Sequence, residues 1–287
     1  MTTGGSSTPT IVLIHGFWVT PLIWEQWKAH YEAKGHRVLT PGYPGLDTDI
    51  EALRADPAPI ERLSVGEIIA NLEQLILSLD EPPIIIGHAA GGAFAQILLG
   101  RGLGQAGIAI NSAPPQAVGV TPFSEITPFL PVLRSLADRH QAGSLTPQQW
   151  TTIFANTMTA EESGALYERH HIPASGRLVW ESTLASISLG HHGVHVDYRN
   201  DTRAPLLLVS GKRDLLYPPK VGQANARRYS SEAVTEHIEF DGPHLLIAAP
   251  NWTTVADYVL DWALTPNVTT AGHAWAVDPS LTSIRRD

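Results

Sequence analysis

Three short motifs hold residue types that could together carry out nucleophilic catalysis at a carbonyl group. Ala89 stands between Gly87 and Gly91 in the run IIIGHAAGG, where a glycine–x–nucleophile–x–glycine pattern would place a reactive side chain. Asp214 follows the apolar run LLLVSG, and His244 follows the run IEF. A histidine oriented by a carboxylate can take a proton from a nucleophile and return it to a leaving group. The chain therefore presents a nucleophile position, an acid and a base, in that order.

A fourth motif could stabilise the negative charge that develops during such a reaction. The sequence HGFW, residues 15–18, follows the apolar run IVLI directly. We expect the main-chain N–H groups of Phe17 and Ala90 to form an oxyanion hole, since Ala90 follows the nucleophile position at the start of a helix. Without the other motifs, HGFW would be interpreted as an ordinary turn between a strand and a helix.

Alanine at position 89 supplies no nucleophile. A strained turn of this kind costs about 1–3 kcal/mol, and glycine would fit the backbone better than alanine if no side chain were needed. We therefore interpret Ala89 as the replacement of a serine, as in an engineered variant made to trap intact substrate. Two alternatives stay open: a cofactor-free lyase or oxygenase that uses only the His244–Asp214 pair, and a non-catalytic relative that binds a ligand. A natural Ala89 would favour these alternatives.

On these motifs the chain resembles α/β-hydrolase-fold proteins of the esterase, lactonase and haloperoxidase-like kind, over about residues 10–264. HGFW, GHAAGG, GKRD and DGPH stand where that fold has its oxyanion loop, elbow, acid and base. The resemblance implies hydrolysis of carboxylic esters or lactones through a Ser–Asp–His triad, here disarmed at Ala89. Position 89 also lacks the aspartate of epoxide hydrolases and haloalkane dehalogenases. Asn111, after the fourth strand, is not an acid, which leaves Asp214 as the partner of His244.

Bulky apolar side chains predict an apolar or aromatic small-molecule substrate. The expected substrate contacts are Trp18, His88, Phe123, Phe129, Trp150, Phe154, Met158 and Trp180. Trp150, Phe154 and Met158 recur at intervals of four and would share one helix face. Alternatively, most of these side chains in residues 114–203 form the apolar core of that segment and do not contact substrate.

The elements that would position these groups alternate along the chain between apolar runs and helical periodicity. Predicted strands cover residues 10–14, 37–40, 83–86, 107–111, 206–210 and 235–240, and predicted helices cover 21–33, 65–79, 91–99, 219–229 and 253–263. We therefore expect an α/β fold with a mostly parallel sheet of about six or more strands, flanked by helices and carrying an α-helical cap insertion.

The rhythm of strand and helix divides the chain into a core, a cap and a tail. Residues 1–113 and 204–264 are expected to form the core, 114–203 a helical cap that is almost free of strands, and 265–287 a C-terminal tail. Within the cap segment, Thr146-Pro147 and the capping-box pattern from Thr159 to Glu162 predict two helix N-termini.

Composition excludes several classes of function. The 287 residues carry a net charge of −9 without a basic run, which argues against a nucleic-acid partner. The absence of cysteine excludes disulfides and thiolate metal sites. The histidines at 170–171 and 191–195 lack a familiar ligand set, so we expect no metal and no cofactor. We see no signal peptide or membrane span and expect a cytoplasmic location, with the oligomeric state left open.

Overall fold

The structure is a computed structural model that describes residues 8–46, 49–115, 141–187, 195–229 and 232–265, with the backbone alone for 183–187. Six strands of these residues form one sheet in which every neighbouring pair is parallel, in the order β2-β1-β3-β4-β7-β8. These strands are β1 (Ile11–Ile14), β2 (Val38–Leu39), β3 (Ile84–His88), β4 (Ala106–Ile110), β7 (Leu206–Gly211) and β8 (Thr235–Phe240).

The central strands are apolar because both of their faces are covered. All residues of β1, β3, β4 and β7 are buried, as expected for a parallel sheet between helical layers. Successive side chains point to opposite faces, so Ile11 and Leu13 join the core on one side while Val12 and Ile14 join the core on the other. Strand β8, at the sheet edge, is mostly polar and is only half-buried.

Helices cover both faces of the sheet. In the described residues they are α1 (Glu25–Ala33), α2 (Ile50–Ala55), α3 (Ala58–Glu61), α4 (Val65–Leu77), α5 (Ala90–Gly100), α6 (Pro147–Phe154), α7 (Ala160–His170), α8 (Gly176–Ile187), α9 (Pro219–Arg228) and α10 (Trp252–Leu264). Helix α5 leaves β3 directly and is buried over ten consecutive residues, which places it in the middle of the molecule.

The predicted fold class is confirmed, and all six predicted strands are present with no end shifted by more than two residues. The predicted helix over 21–33 was wrong in its first turn. There a 3-10 turn, Pro21–Trp24, which Thr20 caps and which begins with proline, precedes α1. The short helices α2 and α3 escaped prediction, since two turns or fewer carry too little periodicity to recognise.

The described part of the segment between β4 and β7 contains α6, α7 and α8. Thr159 forms the predicted capping box with Glu162, and Thr146, predicted as an N-cap before Pro147, forms a capping box with Gln149. The expectation of a segment almost free of strands needs one correction, because β5 (Ala142–Gly143) and β6 (Ala174–Ser175) pair antiparallel. Two residues per strand are too few to give a period-two pattern in the sequence. The proposed division into core and cap stays a prediction.

Arg54, a partly buried residue, connects the segment between β4 and β7 to helix α2. Arg54 of α2 donates to the main-chain oxygens of Tyr167, Glu168 and His171, which are carbonyls at the carboxyl end of α7. A cation at this end of a helix also interacts favourably with the helix dipole.

No helix of the described residues is both long and apolar enough to cross a lipid bilayer.

Candidate active site

The side chains of interest follow four different strands and meet at one edge of the sheet. The HGFW loop follows β1, Ala89 follows β3, Asp214 follows β7 and His244 follows β8. Because the strands are parallel, all of their carboxyl ends lie at the same edge, where open α/β sheets form their ligand crevices.

Ala89 has the strained backbone of a nucleophile elbow. Its φ and ψ are 53° and −117°, and it forms the N-cap of α5. Its main-chain oxygen accepts hydrogen bonds from Gly92 N at 3.0 Å and Ala113 N at 2.9 Å, while its N–H donates to Ile110 O at 3.1 Å. The turn is thus held from both sides, so the surrounding structure maintains a conformation that alanine rarely adopts.

The two flanking glycines are required by the close approach of β3, α5 and β1. A β-carbon at Gly87 would lie 2.0 Å from the oxygen of Gly91, and one at Gly91 would lie 2.2 Å from the oxygen of Ile14. Neither position can hold another residue without moving the backbone. The glycine–x–alanine–x–glycine pattern is therefore explained by the packing of the elbow.

Asp214 and His244 form a buried, directly bonded pair. His244 Nδ1 donates to Asp214 Oδ2 at 2.8 Å, and the two side chains are 1% and 0% exposed. Asp214 Oδ1 accepts from the main-chain N–H groups of Leu216 at 2.7 Å and Tyr217 at 2.9 Å. These bonds fix the carboxylate and assign the proton of the neutral imidazole to Nδ1, which leaves Nε2 as its proton acceptor.

Aromatic rings surround the His244 imidazole. The ring centroids of Phe154 and Tyr217 lie 5.0 and 5.5 Å from that of His244, and Phe154 O also accepts a hydrogen bond from Leu245 N at 2.8 Å. Burial raises the pKa of the Tyr217 phenol. Sequence reasoning missed Tyr217, although its place three residues after the acid was a usable signal.

The HGFW loop lies directly against the elbow. A β-carbon at Gly16 would lie 3.0 Å from Ala89 Cβ. Trp18 has a φ of 63°, its Nε1 donates to Gly143 O at 3.0 Å, and its oxygen accepts from Ile172 N at 3.0 Å. Segment 141–187 therefore braces the loop that carries the Phe17 N–H.

Buried histidines beside the elbow stay neutral. Burial lowers the pKa of His15 to about 4. Burial, with a smaller contribution from His244, lowers the pKa of His88 to about 3. The His88 ring is 2% exposed and its Nε2 donates to the main-chain oxygen of His244 at 2.8 Å. These contacts favour a structural role for His88 over the predicted substrate contact.

The other predicted substrate contacts fall into four groups. Trp18 and Phe154 lie beside the loop and the imidazole, with ring centroids 6.1 Å apart. Trp150 is fully buried in the apolar core that also contains Ile11 and Leu13 of β1, and Met158 packs against that core. Trp180 is half-buried on α8. Phe123 and Phe129 lie outside the described residues.

A small apolar pocket is lined in part by the HGFW loop. Its apolar lining includes Phe17, Trp18, Tyr43, Leu63, Ile172 and Leu178. The described surface beside this loop is thus apolar. Within the described ranges, no group of three histidine, aspartate or glutamate side chains is arranged to bind a metal ion.

Comparison with known proteins assigns the chain to a family. The model of the alpha/beta hydrolase family matches residues 11–258. No curated protein sequence matches the chain.

Similar solved structures include an extracellular alpha/beta-hydrolase from a Paenibacillus species (18% identity, TM-score 0.66, covering 88% of this chain and 98% of that one). A second is a monoacylglycerol lipase from Paleococcus ferrophilus (17% identity, TM-score 0.63, covering 91% of this chain and 97% of that one). A third is a methylesterase from Arabidopsis (13% identity, TM-score 0.62, covering 91% of this chain and 100% of that one). At these identities the likenesses establish the fold alone.

Proposed function

The chain belongs to the alpha/beta hydrolase family, and we propose that its site is that of a serine hydrolase for carboxylic esters or lactones of apolar or aromatic small molecules. In this proposal Ala89 occupies the nucleophile position, Asp214 and His244 are the acid and base, and the N–H groups of Phe17 and Ala90 form the oxyanion hole. The chain as written binds substrate and turns it over very slowly.

The observation that carries the proposal is a complete acid–base pair beside an elbow that lacks only an oxygen. The 2.8 Å bond between His244 and Asp214 and the φ of 53° at Ala89 are the features that a nucleophilic serine requires. The esterase and lipase names among the similar structures add support from the same fold.

In a form with serine at position 89, the reaction follows from this arrangement. His244 Nε2 takes the hydroxyl proton as the oxygen attacks the ester carbonyl, and Asp214 stabilises the imidazolium that results. The two N–H groups stabilise the oxyanion. His244 then protonates the departing alcohol and later activates the water that releases the acid.

Alanine at position 89 removes the attacking atom and leaves the rest in place. Loss of the serine in a comparable triad costs about 10⁶ in kcat, or about 8 kcal/mol of barrier. Substrate binding depends on the apolar walls and the oxyanion donors, which alanine does not disturb. The chain would therefore retain intact ester, as a substrate trap does.

A second candidate is a cofactor-free lyase or oxygenase that uses His244 as a general base. The observation in its favour is that the His244–Asp214 pair is fully assembled in a chain that has no serine at position 89. A non-catalytic ligand-binding protein would share the apolar walls but would not depend on the imidazole.

A paired assay distinguishes these functions. The Ala89 chain and its Ala89→Ser variant are compared on p-nitrophenyl esters and aromatic lactones, with Ala93→Ser, one turn further along α5, as the matched control. We expect Ala89→Ser alone to gain hydrolysis by several orders of magnitude. If Ala89→Ser gains nothing, the hydrolase proposal fails. A conversion by the Ala89 chain that His244→Gln abolishes would then support the lyase or oxygenase.

A further inference from the structure

The main-chain oxygen of His244 accepts hydrogen bonds from two buried side chains. Asn111 Nδ2 and His88 Nε2 each donate to it at 2.8 Å. All three residues are at most 2% exposed, and a carbonyl oxygen has two acceptor sites. Both acceptor sites of the His244 carbonyl are therefore used. One donor, His88, ends β3, and the other, Asn111, directly follows the neighbouring strand β4.

The Asn111 side chain also reaches the loop of the acid. Its Nδ2 donates to Pro243 O at 3.0 Å, and its Oδ1 accepts from Gly211 N at 2.6 Å. Gly211 ends β7, three residues before Asp214, and its oxygen accepts from Asp214 N at 3.1 Å. One amide group thus joins the loop of the base to the loop of the acid.

The backbone at Asn111 explains why an asparagine serves here. Its φ is 44°, a region in which asparagine is among the least strained side chains after glycine. An amide supplies both a donor and an acceptor at the same reach, whereas an ionised carboxylate only accepts. The loops approach so closely that a β-carbon at Gly211 would lie 2.8 Å from Pro243 O.

We propose that Asn111, together with His88, is a positioning residue that holds the loop of His244 against the loop of Asp214 and so maintains the Nδ1–carboxylate hydrogen bond. The two donors fix the backbone from which the imidazole extends. The effect on kcat rests on the proposed function. The effect on the hydrogen bond between His244 and Asp214 is expected in the Ala89 chain itself.

His88 is suited to this role because it stays neutral. Its lowered pKa of about 3 keeps one proton on the ring across the physiological range, and that proton lies on Nε2 because a carbonyl accepts it. The other nitrogen, Nδ1, is buried without a hydrogen-bond partner in the described residues. The ring therefore acts as a fixed donor.

The test compares two buried asparagines. Asn111→Asp keeps the shape of the side chain but removes the donors to Pro243 and His244. Asn225→Asp is the matched control, because Asn225 is similarly buried, at 2% exposed against 1% for Asn111, and bonds Gln96 in α5 rather than either loop. In the Ala89 chain we expect the low-field proton NMR signal of His244 Nδ1–H to be lost in Asn111→Asp and kept in Asn225→Asp.

Kinetics in the Ala89→Ser background provide a second readout. We expect Asn111→Asp to lower kcat at least tenfold with KM changed less than twofold, because substrate contacts are untouched while the base is misplaced. The control Asn225→Asp should lower kcat less than twofold.

A third variant covers the case in which the buried carboxylate prevents folding. Asn111→Gly removes the amide but relieves the positive φ, and it should show the same loss of the NMR signal and of kcat. A folded Asn111→Gly with the signal intact and kcat within twofold would overturn the inference. If the serine form hydrolyses no ester, the proposed function fails, and the NMR signal in the Ala89 chain still decides the role of Asn111.

Discussion

The three residues other than glycine that have a positive φ in the described parts of the chain are Trp18, Ala89 and Asn111. Trp18 lies four residues beyond the end of β1, Ala89 directly follows β3, and Asn111 directly follows β4. These three strands are neighbours in the sheet. Strain of about 1–3 kcal/mol per residue is maintained where the surrounding structure requires a particular geometry. Its concentration around the oxyanion loop, the elbow and the histidine loop supports a site built for chemistry.

At Ala89 this strain can be measured. We expect Ala89→Gly to raise the free energy of unfolding by about 1 kcal/mol, because glycine adopts a positive φ without steric cost. The same substitution in a regular helix, Ala29→Gly on the exposed side of α1, should lower it by about 1 kcal/mol. Urea denaturation of both variants gives the comparison. A loss of stability in Ala89→Gly as large as in Ala29→Gly would show that the elbow is not strained.

Asp214 should act through the orientation and tautomer of His244. In the Ala89→Ser background, Asp214→Asn can donate to Nδ1 and would move the ring proton to Nε2, the atom that must accept the proton of the serine hydroxyl. We expect kcat to fall by about 10⁴, as in a serine protease with the corresponding change. Asp241→Asn, at the exposed partner of Arg213, is the control and should change kcat less than twofold. An equal effect of the two variants would refute this role.

At the scale of elements, the elbow depends on glycine for contact between β1 and α5. Gly91→Ala would place a β-carbon 2.2 Å from Ile14 O, whereas one at Gly164 in α7 meets nothing within 4 Å. We expect Gly91→Ala to lower the melting temperature strongly or prevent folding, and Gly164→Ala to raise the free energy of unfolding by about 0.5–1 kcal/mol. Thermal unfolding of both variants checks the opposite signs, and a folded Gly91→Ala of unchanged stability would contradict the packing argument.

The elements show how far sequence reasoning reaches. The buried strands were predictable because β1, β3, β4 and β7 are continuous apolar runs. The pairing of Asp214 with His244 was predictable from their order and from their places after strands. The role of Asn111 was not, because its partners are main-chain atoms 100 or more residues away along the chain, and such contacts leave no pattern in the sequence.

At the scale of the whole molecule, two neutral histidines in the core make stability depend on pH. His15 and His88 have pKa values of about 4 and about 3 in the folded chain, against 6.5 as the ordinary value. Their contribution to the free energy of unfolding is fully present above pH 6.5. It is lost as the pH falls from 6.5 toward 4 for His15 and toward 3 for His88. Between pH 6 and 5 each contributes about 1.4 kcal/mol per pH unit.

We therefore expect the free energy of unfolding to fall steeply below pH 6.5 and the fall to be shallower in His15→Gln, which does not titrate. Urea denaturation at several pH values between 4.5 and 7 measures both slopes. Equal slopes for the parent chain and His15→Gln would show that His15 is already charged, or exposed, in the folded protein.

The most direct measurement of the central claim is covalent labelling, since it requires no knowledge of the substrate. The Ala89→Ser variant is incubated with diisopropyl fluorophosphate and its intact mass is recorded, beside the Ala89 chain and the double variant Ala89→Ser, His244→Gln. An assembled site predicts one diisopropylphosphoryl group on the oxygen at position 89, with fluoride released, and no adduct on either of the others. Absence of the adduct from Ala89→Ser, or equal labelling without His244, would contradict the assignment of these residues as a dormant triad.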